Sequence, residues 1–265
     1  MYCTSEKLNE SETEIFVIIG CVKFLCLIFL SVLPLGCAGQ VSPSAASDKR
    51  ELQEEPAVFQ VQDYKKHLAA IEQQRASLTL QYQKNTRNTE TLENTRRTFV
   101  HSIYKEVIPF WYETEWDFYG MTETPRQGKI ACGYFVTTVL RDAGLKVERA
   151  KLAQQASEKI ILSLTNEDYV KRFRNAKIED FVEAIEKWGE GVYLVGLDFH
   201  VGFIINDGGK TYFIHSSYIE PRRVVKETAA GSEILASSKY RIIGKISADN
   251  ELLTKWLLQK NIATK

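Results

Sequence analysis

Hydrophobic positions along this chain change their period several times, and each change marks a boundary. Phe24 to Leu35 (FLCLIFLSVLPL) is continuously apolar, with Lys23 before it and Gly36, Cys37, Ala38 and Gly39 after it. Such a run is short for a bilayer span and has the length of an export signal's apolar segment. Val41 to Pro56 is polar, with a Glu-Glu-Pro ending, and reads as a flexible tether. Tyr64, Leu68, Ile71, Leu78 and Tyr82 then recur near helical spacing. A second helix, carrying Leu92, Phe99, Val100, Ile103, Tyr104 and Val107, is expected to end before Pro109. Cys132, Phe135, Val136, Val139, Leu140 and Ala143 form one apolar helical face, closed by Gly144. Three more helical patterns follow: Leu152 to Ile161, Tyr169 to Phe173, and Ile178 to Trp188. In the second of these, Lys171-Arg172-Phe173-Arg174 reads as a solvated face.

At Gly191 the period becomes two. Tyr193, Val195, Leu197, Phe199, Val201, Phe203 and Ile205 are expected on one side of a strand, and Asp198, His200 and Gly202 on the other. Asn206-Asp207-Gly208-Gly209 is a hairpin signal, and Lys210 to His215 is the returning strand. With Asp207-Gly208 as the turn, Phe203 opposes Tyr212 and His200 opposes His215. The two imidazoles become cross-strand neighbours with Cβ atoms about 5 Å apart, an inference that a one-residue slip would destroy. A later strand is expected near Tyr240 to Ile246, and a terminal helix over Asn250 to Lys260. The fold class is α+β, with helices packed on an antiparallel sheet. The organisation is an export signal region at 1–37, a tether at 38–58, a helical lead-in at 59–108 and a mixed α+β domain, expected to be the catalytic one, at 109–265.

The 265 residues hold 34 basic and 34 acidic side chains, which excludes a nucleic-acid binder driven by bulk positive charge. Of five cysteines, Cys3, Cys21, Cys26 and Cys37 precede the tether, and Cys132 stands alone after it. The folded part therefore has neither a disulfide framework nor a CxxC zinc site. Glu6, Glu10, Glu12 and Glu14 make the amino end acidic, whereas an export signal wants a basic one. Read from Val22, the segment is an ordinary bacterial export signal, so residues 1–21 are expected to be a start-site artefact. Leu35-Gly36-Cys37 is similar to the end of a lipobox. Two routes stay open: lipidation of Cys37 as the new amino terminus, or cleavage after Ala38 or Gly39. The protein is expected to be exported, as a periplasmic, membrane-anchored or secreted species.

The chemistry turns on Cys132. On an apolar stripe it reads as core. Its place at a helix start, where free N–H groups and the dipole lower a thiol's pKa, reads as a nucleophile. Gly128 and Gly133 are expected to leave room around the sulfur. Two adjacent imidazoles are hard to explain as packing, because each ring nitrogen needs a partner. A relay explains them: Cys132 attacks, His200 takes its proton, and His215 orients His200. The aromatic stretch Phe110-Trp111-Tyr112 and Trp116 to Gly120 is either core or the wall of a substrate cleft; in the second case Tyr112, Trp116, Tyr119 and Gly133 border the substrate. Cys132, His200 and His215 are also acceptable zinc ligands, and a non-catalytic binding module is the third reading.

Ala131-Cys132-Gly133-Tyr134-Phe135-Val136, His200-Val201-Gly202 and Ile214-His215 resemble the three motifs of the NlpC/P60 family of papain-like cysteine peptidases. Trp116 to Gly120 is similar to that family's upstream aromatic–glycine segment. The similarity runs from about Trp111 to about Lys245. It implies a papain-like fold, a Cys132–His200–His215 site without metal or cofactor, and a peptide or peptidoglycan-like substrate. It also implies that the Cys132 backbone N–H is one oxyanion donor. Gln127 is the second candidate donor, because papain-like enzymes place a glutamine shortly before the cysteine. The family's Asp before the cysteine is Ala131 here, and the Ser after it is Gly133. Both help to hold the substrate in the cell-wall enzymes, so the family's usual specificity is in question here. The expected activity is hydrolysis of an amide or peptide bond, or acyl transfer to another acceptor on the same fold. Mass spectrometry of the unprocessed protein tests the start site: no peptide covering Ser5 to Glu14 is expected, and finding one contradicts translation from position 22.

Overall fold

The computed structural model describes residues 61–84 and 89–265. The export signal, Cys37 and the tether lie outside the described residues. The first helix, α1 (Val61–Lys84), buries Tyr64, Ile71 and Leu78 at the expected spacing. Helix α2 (Thr89–His101) leads into a π-helical segment (Ser102–Val107) and then α3 (Ile108–Trp111). The helical path thus runs past Pro109, where the sequence predicts a stop. Pro109 falls in the first turn of α3, where a missing N–H costs little, and the wide turn before it absorbs the change of register.

Strands β1 (Glu115–Trp116) and β2 (Lys129–Ile130) pair in parallel just before α4 (Cys132–Asp142). After β3 (Lys146–Val147) come α5 (Arg149–Ala153) and α6 (Ser157–Leu164), two helices where one was expected. The segment expected as a helix at Tyr169 to Phe173 is instead strand β4 (Val170–Arg174), on the edge of the main sheet. An edge strand tolerates the charges that suggested a helix face, and Arg172 pairs there with Glu158 and Glu167. Phe173 turns inward onto Phe181 of α7 (Ile178–Trp188).

The period-two run is not one strand. It folds at Asp198-Phe199 into β5 (Gly191–Leu197) and β6 (Val201–Asp207), which pair antiparallel. The hairpin inverts the face assignment. Val192 and Leu194 share one core with Val201, Phe203 and Ile205, while Tyr193, Val195 and Leu197 share another with Ile204. No turn dipeptide marks this tip. It is held by the Asp198 carboxylate, which accepts from Ser238 Oγ at 2.9 Å and the Lys239 N–H at 2.7 Å.

Strands β7 (Lys210–Ser216), β8 (Val224–Thr228) and, after α8 (Glu233–Ser237), β9 (Tyr240–Gly244) complete a six-stranded antiparallel sheet of order β4-β9-β5-β6-β7-β8. Helix α9 (Asn250–Leu257) and β10 (Asn261–Ile262) end the chain, with β10 pairing β3. Helices cover both faces of the sheet, and every residue of β5 is buried. The turn between β6 and β7 is Gly208-Gly209, with φ of 59° and 77°. Asp207 pairs with Lys210 instead of entering the turn, and both central positions carry the positive φ that glycine takes at no steric cost. The register is therefore offset by two residues from the expected one. Parity survives, so His200 and His215 share a face as diagonal neighbours.

The lead-in is not a separate layer. Phe99 packs edge-on against Trp256 at 5.5 Å, and Tyr64 donates to Asp142 at 2.6 Å while accepting from Trp111 Nε1 at 3.0 Å. Buried Arg75 caps α9 by donating to the Leu257 carbonyl at 2.7 Å. No helix among the described residues is long and apolar enough to cross a membrane. Phe99→Ala is expected to destabilise this shared core by about 3–5 kcal/mol in urea unfolding, with one transition throughout. A second transition that leaves the sheet's midpoint unmoved would show the lead-in to be independent.

Candidate active site

Helix α4 begins at Cys132, and its N-cap, Ala131, is extended and offers no side-chain cap. The first-turn N–H groups are therefore free, and those of Cys132 and Gly133 reach the sulfur, joined by the N–H of Val201. These contacts favour the thiolate as the sequence predicts, but burial outweighs them and pushes the thiol up. Cys132 is partly exposed and is the one free thiol among the described residues. Gly133 does not open space at the sulfur. A Cβ there would lie 2.4 Å from the Ala153 carbonyl oxygen, so its role is the close packing of α5 on α4. Gly128, with φ of 76°, serves its own turn.

His200 and His215 meet as a hydrogen-bonded pair, Nε2 to Nδ1 at 2.9 Å with rings nearly perpendicular. The next partner is Glu227, absent from the sequence reading, whose Oε1 lies 3.1 Å from His215 Nε2. Each step of the chain moves one strand across the sheet and two residues along it, from the start of β6 to β7 to β8. Phe213 stacks on His215 at 4.0 Å and fixes the ring plane. Gly202 is required beside it, since a Cβ there would come within 2.6 Å of Phe213 and 2.9 Å of the His215 Cβ.

Charge distributes along this relay in a definite way. Burial raises Glu227, but hydrogen bonds from His215 and Ser232 prevail and hold its carboxyl below the usual range. Burial pushes His215 down against the pull of Glu227. Burial, reinforced by His215, pushes His200 well down. An ionised Glu227 accepts the Nε2 proton of a neutral His215. The bare Nδ1 of His215 then accepts the Nε2 proton of His200, which leaves the Nδ1 lone pair of His200 free. The pair at rest is thus a neutral thiol and a neutral imidazole, and no side chain hydrogen-bonds the sulfur among the described residues.

Cys132 and His200 line one cleft of about 700 Å³. Of the residues the sequence places at a cleft, Trp116, Tyr119 and Gly133 line it, with Phe118 and Met121 beside them. Ala131, Tyr134, Ala153, Gln154, Phe199 and Tyr218 also line it, and Tyr218 packs edge-on to His200 at 5.2 Å. Tyr112 does not reach it. Half-buried, it packs against the main core instead. Gln127 is exposed in the turn before β2 and does not line the cleft. The zinc reading gains no ligand cluster, since His200 Nε2 and His215 Nδ1 face each other. Among the described residues no three His, Cys, Asp or Glu side chains are placed to hold a metal.

Glu227 was out of reach of sequence reasoning, because the loop between β7 and β8 hides the register that aligns it with His215. Iodoacetamide labelling of Cys132, followed by peptide mapping against pH, is expected to have its midpoint above the ordinary thiol value of about 8.5. A midpoint near neutrality would contradict the dominance of burial. Comparison with known proteins returns no matching family model, no curated relative and no matching solved structure.

Proposed function

We propose that this protein is an exported thiol hydrolase of papain-like, NlpC/P60-type design, cleaving an amide or related acyl bond through a thioester on Cys132. The observation that carries the reading is the Glu227–His215–His200 hydrogen-bond chain, buried at both histidines and half-buried at Glu227, which ends in the cleft that holds Cys132 at the start of α4. A structural histidine pair needs no cleft and no thiol beside it. A relay that leaves one lone pair free serves a general base.

In this mechanism the Cys132 thiol gives its proton to His200 as the sulfur attacks the carbonyl carbon. The leaving group departs with that proton, and water then attacks the thioester, passing a proton through His200 back to the sulfur. The family resemblance assigns the Cys132 backbone N–H, which contacts the resting sulfur, to the developing oxyanion. The resting thiol is neutral, so the thiolate forms only as substrate is attacked. Export rests on the amino-terminal sequence, as does membrane attachment through a lipidated Cys37.

The raised thiol and the absent sulfur–imidazole hydrogen bond favour one second reading, an inert binding module. Intact-mass measurement of acylation by an activated ester separates the two. Stoichiometric acylation mapped to Cys132 is expected, slowed by about 10²–10⁴-fold in His200→Ala and abolished in Cys132→Ser. Acylation that is indifferent to His200→Ala would contradict the proposal.

A further inference from the structure

Chemistry at Cys132 leaves the acyl group itself open, and the surroundings of the sulfur bear on it. None of the described residues lining the 700 Å³ cleft is charged. Six large apolar side chains are exposed among the described residues, and five of them line this cleft: Phe118, Tyr119, Met121, Phe199 and Tyr218. Tyr119 is 81% exposed and Phe199 93%. Scattered exposed apolar residues are ordinary, whereas their collection around one concavity marks a ligand surface. Arg149, stacked behind Tyr134, is committed to the Met121 and Thr122 carbonyls and the Thr138 hydroxyl.

Polar groups gather instead in a second cleft of about 440 Å³, which shares Phe199, His200 and Tyr218 with the first and contains Asp198, Ser238 and Lys239. His200 borders both clefts, while Cys132 lines only the apolar one. An ionised acyl group beside the sulfur would lose its hydration and find no counter-charge among the lining residues. An alkyl chain there would only gain by leaving water.

We propose that the acyl group transferred to Cys132 is a long, uncharged apolar chain, and that ionised cell-wall peptides are not its donors. This rests on the thiol chemistry proposed above. The S–C bond forms to the acyl carbonyl as the bond to the leaving oxygen or nitrogen breaks. The thiol proton passes through His200 to that leaving atom. Water then releases the chain as a carboxylic acid and restores the thiol.

The test compares p-nitrophenyl esters from acetyl to dodecanoyl, each below its micelle concentration, with esters of matched length ending in a carboxylate. The rate constant of Cys132 acylation is read by intact mass and peptide mapping. It is expected to rise with each methylene, by up to about fourfold, the factor equivalent to about 0.8 kcal/mol per buried CH₂. The carboxylate-ended esters are expected to react at least about tenfold more slowly than their uncharged counterparts. Phe199→Ser, at an exposed hairpin tip, is expected to lower the ratio of long-chain to short-chain rates with thermal stability retained. Rates independent of chain length, or faster with the carboxylate-ended esters, would overturn the acyl-chain proposal and leave the thiol chemistry standing. No acylation of Cys132 by any ester would overturn both.

Discussion

The hydrogen bond between His200 and His215 joins two groups that burial alone would make costly. Each imidazole has two nitrogens to satisfy, and the interior between the sheet and its covering helices supplies little water to do it. Linking the rings to each other and then to Glu227 satisfies three of those four nitrogens in one line. The fourth, His200 Nδ1, is left with a lone pair in the ring that borders the Cys132 cleft. The same line has a polarity, because the carboxylate at its far end determines where every proton sits. The orientation of the His200 ring is therefore set by its partners on β7 and β8.

That line sets the demands on the sheet. Gly208-Gly209 fixes the register of β6 and β7, and Gly202 leaves the volume that Phe213 and His215 occupy. Asp198 pins the tip that carries Phe199 and His200 to the segment before β9. The lead-in helices play no part in lining the cleft. They complete the core beneath α4 and α9, and so hold α4 against the sheet. Burial has a cost at the sulfur. Burial of the sulfur raises the thiol's pKa, against the pull of three backbone N–H groups.

Much of this frame was legible in the chain because its signals are local and periodic. The apolar face of α4 announced a helix beginning at Cys132, and the Asn206-Asp207-Gly208-Gly209 run announced the β6–β7 hairpin, though with Asp207-Gly208 as its turn. The two histidines fall on one face under either turn assignment, since the two registers differ by an even number of residues. What was hidden depends on distant partners. The tip at Asp198-Phe199 has no turn dipeptide, because Ser238 and Lys239, forty residues on, supply its anchor. Strand β4 carries a helix-like charge run because an edge strand has one side free for Lys and Arg. Glu227 sits across a loop whose length does not set a register. Tyr112 and Phe199 show the limit for aromatics, since composition gives no sign of which ring packs inward and which lines a cleft.

The bonds from His200 to His215 and on to Glu227 hold His200 neutral, with its proton on Nε2 and its Nδ1 bare. Nitrogen NMR of isotope-labelled imidazoles at neutral pH reads this directly, because protonated and bare ring nitrogens resonate far apart. The expected spectrum shows a neutral His200 with a bare Nδ1 and a neutral His215 carrying its proton on Nε2. A proton on His200 Nδ1, or a charged His200, would contradict it.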